Sequence, residues 1–150
     1  MLRGDVGVGW LKQNFDGTAF GDIDGYSLHG KLEWFPTQLT TVTALGERSI
    51  EDSGLVGSAG SLRTDASVQV DHELLRNLIV TGVLDSERSK FVGVDRLDKR
   101  FTIGASATYL MNRGVGVTFG YSRLDQDSSG VNAGPDFKAN LFSLGLILKR

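Results

Sequence analysis

Tyr26-Ser27-Leu28-His29-Gly30-Lys31-Leu32-Glu33-Trp34 decides the fold class. Tyr26, Leu28, Gly30, Leu32 and Trp34 share one parity, and Ser27, His29, Lys31 and Glu33 share the other. Such sorting needs a backbone whose side chains alternate between two faces, which is a β-strand. A helix would mix the two sets. Downstream, Leu62, Thr64, Ala66, Val68 and Val70 oppose Arg63, Asp65, Ser67, Gln69, Asp71 and Glu73. Phe101, Ile103, Ala105, Ala107 and Tyr109 oppose Thr102, Gly104, Ser106 and Thr108. Val6, Val8 and Trp10, the run Val115 to Tyr121, and Phe142 to Leu148 continue the rule, giving about eight segments in all. Leu39–Arg48 and Leu78–Glu87 alternate less cleanly. Leu74, Leu75, Leu78 and Ile79 could also line a short helix, although strand is the expectation there.

The connections alternate in length. Phe35-Pro36-Thr37-Gln38, Leu74-Leu75-Arg76-Asn77 and Met111-Asn112-Arg113-Gly114 are hairpin-sized, with Pro, Asn or Gly at the corner. Asn14–Gly25, Ser49–Gly60, Ser86–Asp98 and Asp125–Asp136 are longer and rich in Asp, Ser and Gly. The expected fold is therefore an all-β, antiparallel up-and-down barrel of about eight strands, or part of a larger barrel, as a single domain over 1–150.

Composition narrows the function. The chain has 150 residues with 16 Lys and Arg against 18 Asp and Glu, a net charge of −2 that argues against binding driven by nucleic-acid phosphates. It has no Cys, which removes disulfides, thiol catalysis and cysteine-ligated metals. The 20 glycines and 2 prolines suit strands and turns. No run of about 18 apolar residues exists, but a tilted strand crosses a bilayer in about 9–11 alternating residues. Met1 leads directly into strand-like sequence, without a signal-peptide pattern.

Alternation alone fits a soluble barrel with an oily interior as well as a membrane barrel with a polar one. The polar parity is built from small groups such as Gly7, Gly9, Ser27, Ser67, Thr102, Ser106 and Ser143, which suit a crowded interior. Tyr26, Trp34, Phe35, Phe101, Tyr109 and Tyr121 sit toward strand ends, as rings at headgroup level do. Both point to lipid outside. An even strand count places both termini on the short-turn side, which in outer-membrane barrels is the periplasm. The expected lumen lining is His29, Lys31, Glu33, Arg63, Asp65, Asp71, Glu73 and Arg100. In a closed eight-stranded tube these charges would pair across a plugged lumen; in a larger barrel they would line a water-filled channel.

Tyr109-Leu-Met-Asn112-Arg113, the strand Val115–Arg123, Leu124-Asp-Gln-Asp-Ser-Ser129 and Phe137-Lys-Ala-Asn140 before Leu144-Gly-Leu-Ile-Leu148 carry a resemblance. Together with Trp34-Phe-Pro36-Thr37 and Leu75-Arg-Asn77-Leu78, this pattern resembles the outer-membrane β-barrel porin family associated with exopolysaccharide systems. Members generally carry a signal peptide and more strands than counted here, so the resemblance implies the C-terminal portion of a longer barrel. It departs at the end, Leu148-Lys149-Arg150, where outer-membrane chains commonly finish on an aromatic residue.

Other motifs yield weaker expectations. Asp125-Gln-Asp127-Ser-Ser129-Gly130, with Asp136 at the twelfth position, has much of the spacing of a calcium loop. Its flanks are strands and its twelfth residue is not Glu, so a plain exposed loop is the blander reading. Asp22-Ile-Asp24-Gly25 is a shorter fragment of the same kind. His29 is expected as a hydrogen-bonded group on the polar face, and His72 as an interfacial residue near a turn. Gly7-Val-Gly9 and Gly114-Val-Gly116 lack the third glycine of a dinucleotide loop and are expected to permit close approach within the sheet.

No nucleophile-elbow pattern is present. The chain is thus expected to be a non-catalytic, cofactor-free, porin-like protein of the bacterial outer membrane, serving passage or export of polar solutes or polysaccharide. Its expected partners are outer-membrane lipid and the barrel-assembly machinery. The rivals are a soluble lipocalin-like barrel with an apolar ligand, and a lipid-acting barrel enzyme using His29 or Ser122.

Overall fold

The computed structural model describes residues 1–13, 23–53, 55 and 57–148. They form eight antiparallel strands, β1 (Leu2–Gln13), β2 (Ile23–Thr37), β3 (Thr40–Glu51), β4 (Gly60–Leu75), β5 (Leu78–Val92), β6 (Leu97–Leu110), β7 (Val115–Ser129) and β8 (Phe137–Leu148). Each strand pairs with its chain neighbours alone, in the order β1 to β8. Leu74, Leu75, Leu78 and Ile79 belong to the β4–β5 hairpin rather than to a helix.

Among the described residues the sheet is a meander with β1 and β8 at its edges. Among the described residues no ladder joins β1 to β8, so the sealed eight-strand cylinder is not formed. Hairpin turns dictate which strands are neighbours, whereas closure depends on tilt and shear summed over the whole wall.

Short turns set the register at one edge. Asn112 Oδ1 accepts from the amides of Gly114 at 2.8 Å and Val115 at 2.9 Å, pinning the β6–β7 corner. Asn112→Ala removes both acceptors and is expected to cost about 1–2 kcal/mol, read as a lowered urea midpoint with unchanged slope.

The loop-side edge differs from expectation. Ser49–Glu51, Ser86–Val92 and Asp125–Ser129, expected in loops, are strand. Both faces are polar there, so the period-two signal disappears while the backbone ladder continues: Arg63 pairs with Ser89, and Lys99 with Asp127. Most of the Asn14–Gly25 loop, Asp22 included, lies outside the described residues, as do Lys149 and Arg150.

Three loops are tied together above the sheet. Ala59 N–H donates to Val92 O at 3.0 Å, and Asn132 N–H to Asp95 O at 3.0 Å. Gly130, at φ 112°, lies against Asp95, where an added Cβ would fall 2.2 Å from its carbonyl oxygen. Gly130→Ala is expected to release this clasp at a cost of about 1–3 kcal/mol, seen as faster proteolysis at 130–136 with the strands still protected.

Among the described residues there is no apolar core. Ala59, at 7% exposure, is the one buried apolar residue among those described, while Val8 is 81% exposed, Leu144 79% and Trp10 70%. The accessible surface is 10314 Å², against roughly 7,500 Å² for a water-soluble globule of this mass. Among the described residues no oily interior of the lipocalin type is formed.

Candidate functional site

The strand register assigns every side chain to one of two faces, because directly paired residues point the same way. Lys31 pairs with Asp5 and Leu45, Asp65 with Glu47 and Glu87, and Glu87 with Arg100. All eight residues expected to line the lumen, His29, Lys31, Glu33, Arg63, Asp65, Asp71, Glu73 and Arg100, fall on this one polar face. It is also the more enclosed face, holding Ser61 at 6% exposure and Gln126 at 7%.

The opposite face is a lipid-length apolar belt. Leu2–Trp10, Tyr26–Trp34 and Phe101–Tyr109 each match the ~9–11 residues of a crossing strand. Trp10, Tyr26, Phe101, Tyr121 and Phe142 end the belt on the loop side, and Trp34 and Tyr109 end it on the turn side. Phe142 packs on Tyr121 with ring centroids 4.9 Å apart. Aromatic rings at both limits are the expected interfacial anchors. His72 shares this face near the turn edge, its Nδ1 2.9 Å from Thr40 Oγ1, as an interfacial residue would be placed.

The register also sorts the charges that composition shows as balanced. Among the described residues, ten carboxylates lie on the polar face: Asp5, Glu33, Glu47, Glu51, Asp65, Asp71, Glu73, Asp85, Glu87 and Asp98. They meet four bases, Arg3, Lys31, Arg63 and Arg100. The strand positions of the other face carry seven bases, Lys12, Arg48, Arg88, Lys90, Lys99, Arg123 and Lys138, and three acids, Asp24, Asp125 and Asp127. One face is acidic and the other basic.

A network spans β3 to β7 at the loop-side end of the polar face. Arg63 bonds Asp65 Oδ2 at 2.7 Å, Glu51 Oε1 at 3.2 Å and Glu87 Oε2 at 3.2 Å. Arg100 reaches the same Glu87 oxygen at 3.3 Å and Gln126 Oε1 at 2.8 Å. Glu87 is thus the hinge between two arginines, with its side chain only 14% exposed. Sequence reading missed Glu87, Glu51 and Gln126. Counting parity onward from the Arg76-Asn77 corner would have placed Asp85 and Glu87 on this face.

Smaller groups complete the arrangement. Lys31 Nζ lies 2.8 Å from Glu33 and His29 Nε2 lies 3.5 Å from Asp5. Asp71 Oδ1 accepts from Thr81 at 2.7 Å, and Glu73 pairs in the ladder with Ile79. Across β5 to β8 the face becomes a shallow trough of about 290 Å³ lined by Thr81, Thr102, Gly104, Ser106, Gly120, Ser122 and Ser143. Gly9 sits close against Ser27 Oγ, but Gly7 faces open space, so close approach explains only one of that pair.

The calcium spacing is not assembled into a ligand set. Asp125 and Asp127 lie in β7 on the basic face, Asp125 3.4 Å from Arg123. Asp136 caps the Ser128 amide at 2.6 Å instead. Among the described residues no three His, Asp or Glu side chains gather as a metal site. Pairing with β6 holds the first two aspartates in extended backbone.

Outside the belt, Arg96 forks onto Asp98 at 2.7 and 2.9 Å, and Ser128 Oγ donates to the same carboxylate at 2.6 Å. The hydrogen bond from Arg96 holds the Asp98 carboxyl below its usual range, despite burial. The lowered value means this loop contact is present above the ordinary carboxylate range and is lost only as pH falls through the depressed one.

A meander with one acidic and one lipid-length apolar face defines a wall of a β-barrel. The family described as "Putative beta-barrel porin 2" matches residues 1–150, and the chain belongs to it. No curated protein and no solved structure matches the chain.

Proposed function

We propose that the chain forms the wall of a porin-like barrel in the bacterial outer membrane, with the acidic face turned to a water-filled passage for polar solutes. The sorting of charges by the register carries this reading: exposed apolar residues occupy one face, and ten carboxylates against four bases occupy the other. In hydrocarbon the free backbone groups of β1 and β8 would each cost several kcal/mol, so the two edges must be paired, with each other or with further strands. An excess of carboxylates along a wet wall favours cations and neutral polar solutes, polysaccharide among them, over anions. No catalytic step is assigned.

Reconstitution into planar bilayers tests the proposal. A KCl gradient is expected to give a reversal potential of cation-preferring sign, reduced when Asp65 and Glu47 are changed to Asn and Gln. A chain that stays monomeric in detergent-free buffer, or a conductance preferring anions, would overturn the reading.

A further inference from the structure

Four of the seven strand bases on this face stand together, immediately past the loop-side limit of the apolar belt. Arg48 pairs across the sheet with Thr64, Thr64 with Arg88 and Arg88 with Lys99, forming one row over β3 to β6; Lys90 stands opposite Leu62, one step further out. Among the described residues none of Arg48, Arg88, Lys90 and Lys99 has a carboxylate within ion-pair distance. Arg88 and Lys99 are like charges directly opposed, a destabilising arrangement, and Lys99 faces Asp127 on its other side.

The site has shape as well as charge. Arg48, Leu62, Thr64, Arg88 and Lys90 line a groove of about 290 Å³. The Arg48 guanidinium stacks 3.9 Å from the Tyr26 ring and donates to its hydroxyl, and its shielded Nε has no hydrogen-bond partner. Below the row, toward the turns, Ala66, Val68 and Leu84 continue the apolar belt on the same strands. A ligand that fits has phosphate oxygens at the row and hydrocarbon along the belt.

We infer that Arg48, Arg88 and Lys90 form a binding site for the phosphorylated headgroup of an anionic lipid in the loop-side leaflet, its acyl chains lying on Ala66, Val68 and Leu84. The inference rests on the membrane reading above. Phosphate is the preferred partner because a guanidinium fork delivers paired N–H groups to its oxygens, and Thr64 supplies a hydroxyl at the centre of the row. Each basic side chain near an anionic lipid surface contributes about fivefold in affinity, so the three together contribute on the order of a hundredfold.

The full chain is reconstituted into phosphatidylcholine vesicles with a minor fraction of phosphatidic acid, then released into mild detergent, and retained lipid is counted by native mass spectrometry. Phosphatidic acid is expected to be retained in preference to phosphatidylcholine. Retention should fall at least about tenfold in R48Q/R88Q/K90Q, and much less in K12Q/K138Q, which removes the same kind of charge at the sheet edges. In the unmodified protein, added salt should release phosphatidic acid, a readout independent of how the variants fold. Equal loss in the two variants, no preference for phosphatidic acid, or displacement by inorganic phosphate at matched concentration would each overturn the inference. A chain that inserts but shows no preference loses this site only; one that fails to insert loses the membrane reading as well.

Discussion

Val68→Arg is expected to destabilise the membrane-inserted protein by about 2–4 kcal/mol, the cost of a cation on the lipid face near mid-bilayer. Ser67→Arg, one residue away on the same strand, is expected to cost less than about 1 kcal/mol. Val68 is 41% exposed on the apolar face and pairs with Ala44 and Leu84, so an arginine there meets hydrocarbon. Ser67 is on the polar face opposite Asp85, which offers the new guanidinium a carboxylate and access to water. Urea unfolding from vesicles, or the heat-dependent gel shift of a folded barrel, measures both. A soluble barrel with its apolar side inward would give a different pattern: an arginine at position 68 would wreck its core and one at 67 would be an ordinary surface change. Nearly equal effects of the two substitutions would remove the two-faced reading altogether.

Glu87→Gln is expected to lower stability by about 1.5–3 kcal/mol and to change conduction. One carboxylate oxygen serves both Arg63 and Arg100 from a side chain only 14% exposed, so its neutralisation leaves two guanidiniums facing each other across a neutral amide. The range is below that of a fully buried pair because Arg63 is 34% exposed and Arg100 40%, which screens part of the repulsion. Arg63 keeps Asp65 and Glu51, and Arg100 keeps Gln126, so the wall should still fold. A cycle pairing Glu87→Gln with Arg100→Gln separates a structural network from a selectivity lining. If the second change restores stability but cation preference remains reduced, the Glu87 charge acts on the passing solute directly. If both properties return together, the network serves the fold alone.

Much of this arrangement was legible before any coordinates. Parity along Tyr26–Trp34 and Leu62–Leu74 settles which side chains share a face, since neighbouring side chains in a strand must point oppositely. Turn residues such as Asn112 mark the corners. The parts that were not legible share one cause. Beyond Arg48, Arg88, Lys99 and Arg123 the outer face is no longer apolar, so Ser86–Val92 and Asp125–Ser129 resemble loop by composition although they are strand. The same loss of contrast made Asp125 and Asp127 resemble calcium ligands and concealed Glu87.

By itself the amino-acid sequence determined the strand class, the hairpin order and the chemistry of each face, because these depend on side-chain parity and on corners a few residues long. Only the tertiary structure decided which strand positions stand opposite one another. That register joins Glu87 to arginines thirteen and twenty-four residues away, gathers acids on one side and bases on the other, and among the described residues leaves β1 unpaired with β8. Cross-strand pairing is the physical reason, for it sums the offset of every turn along the sheet, and no single segment contains that sum.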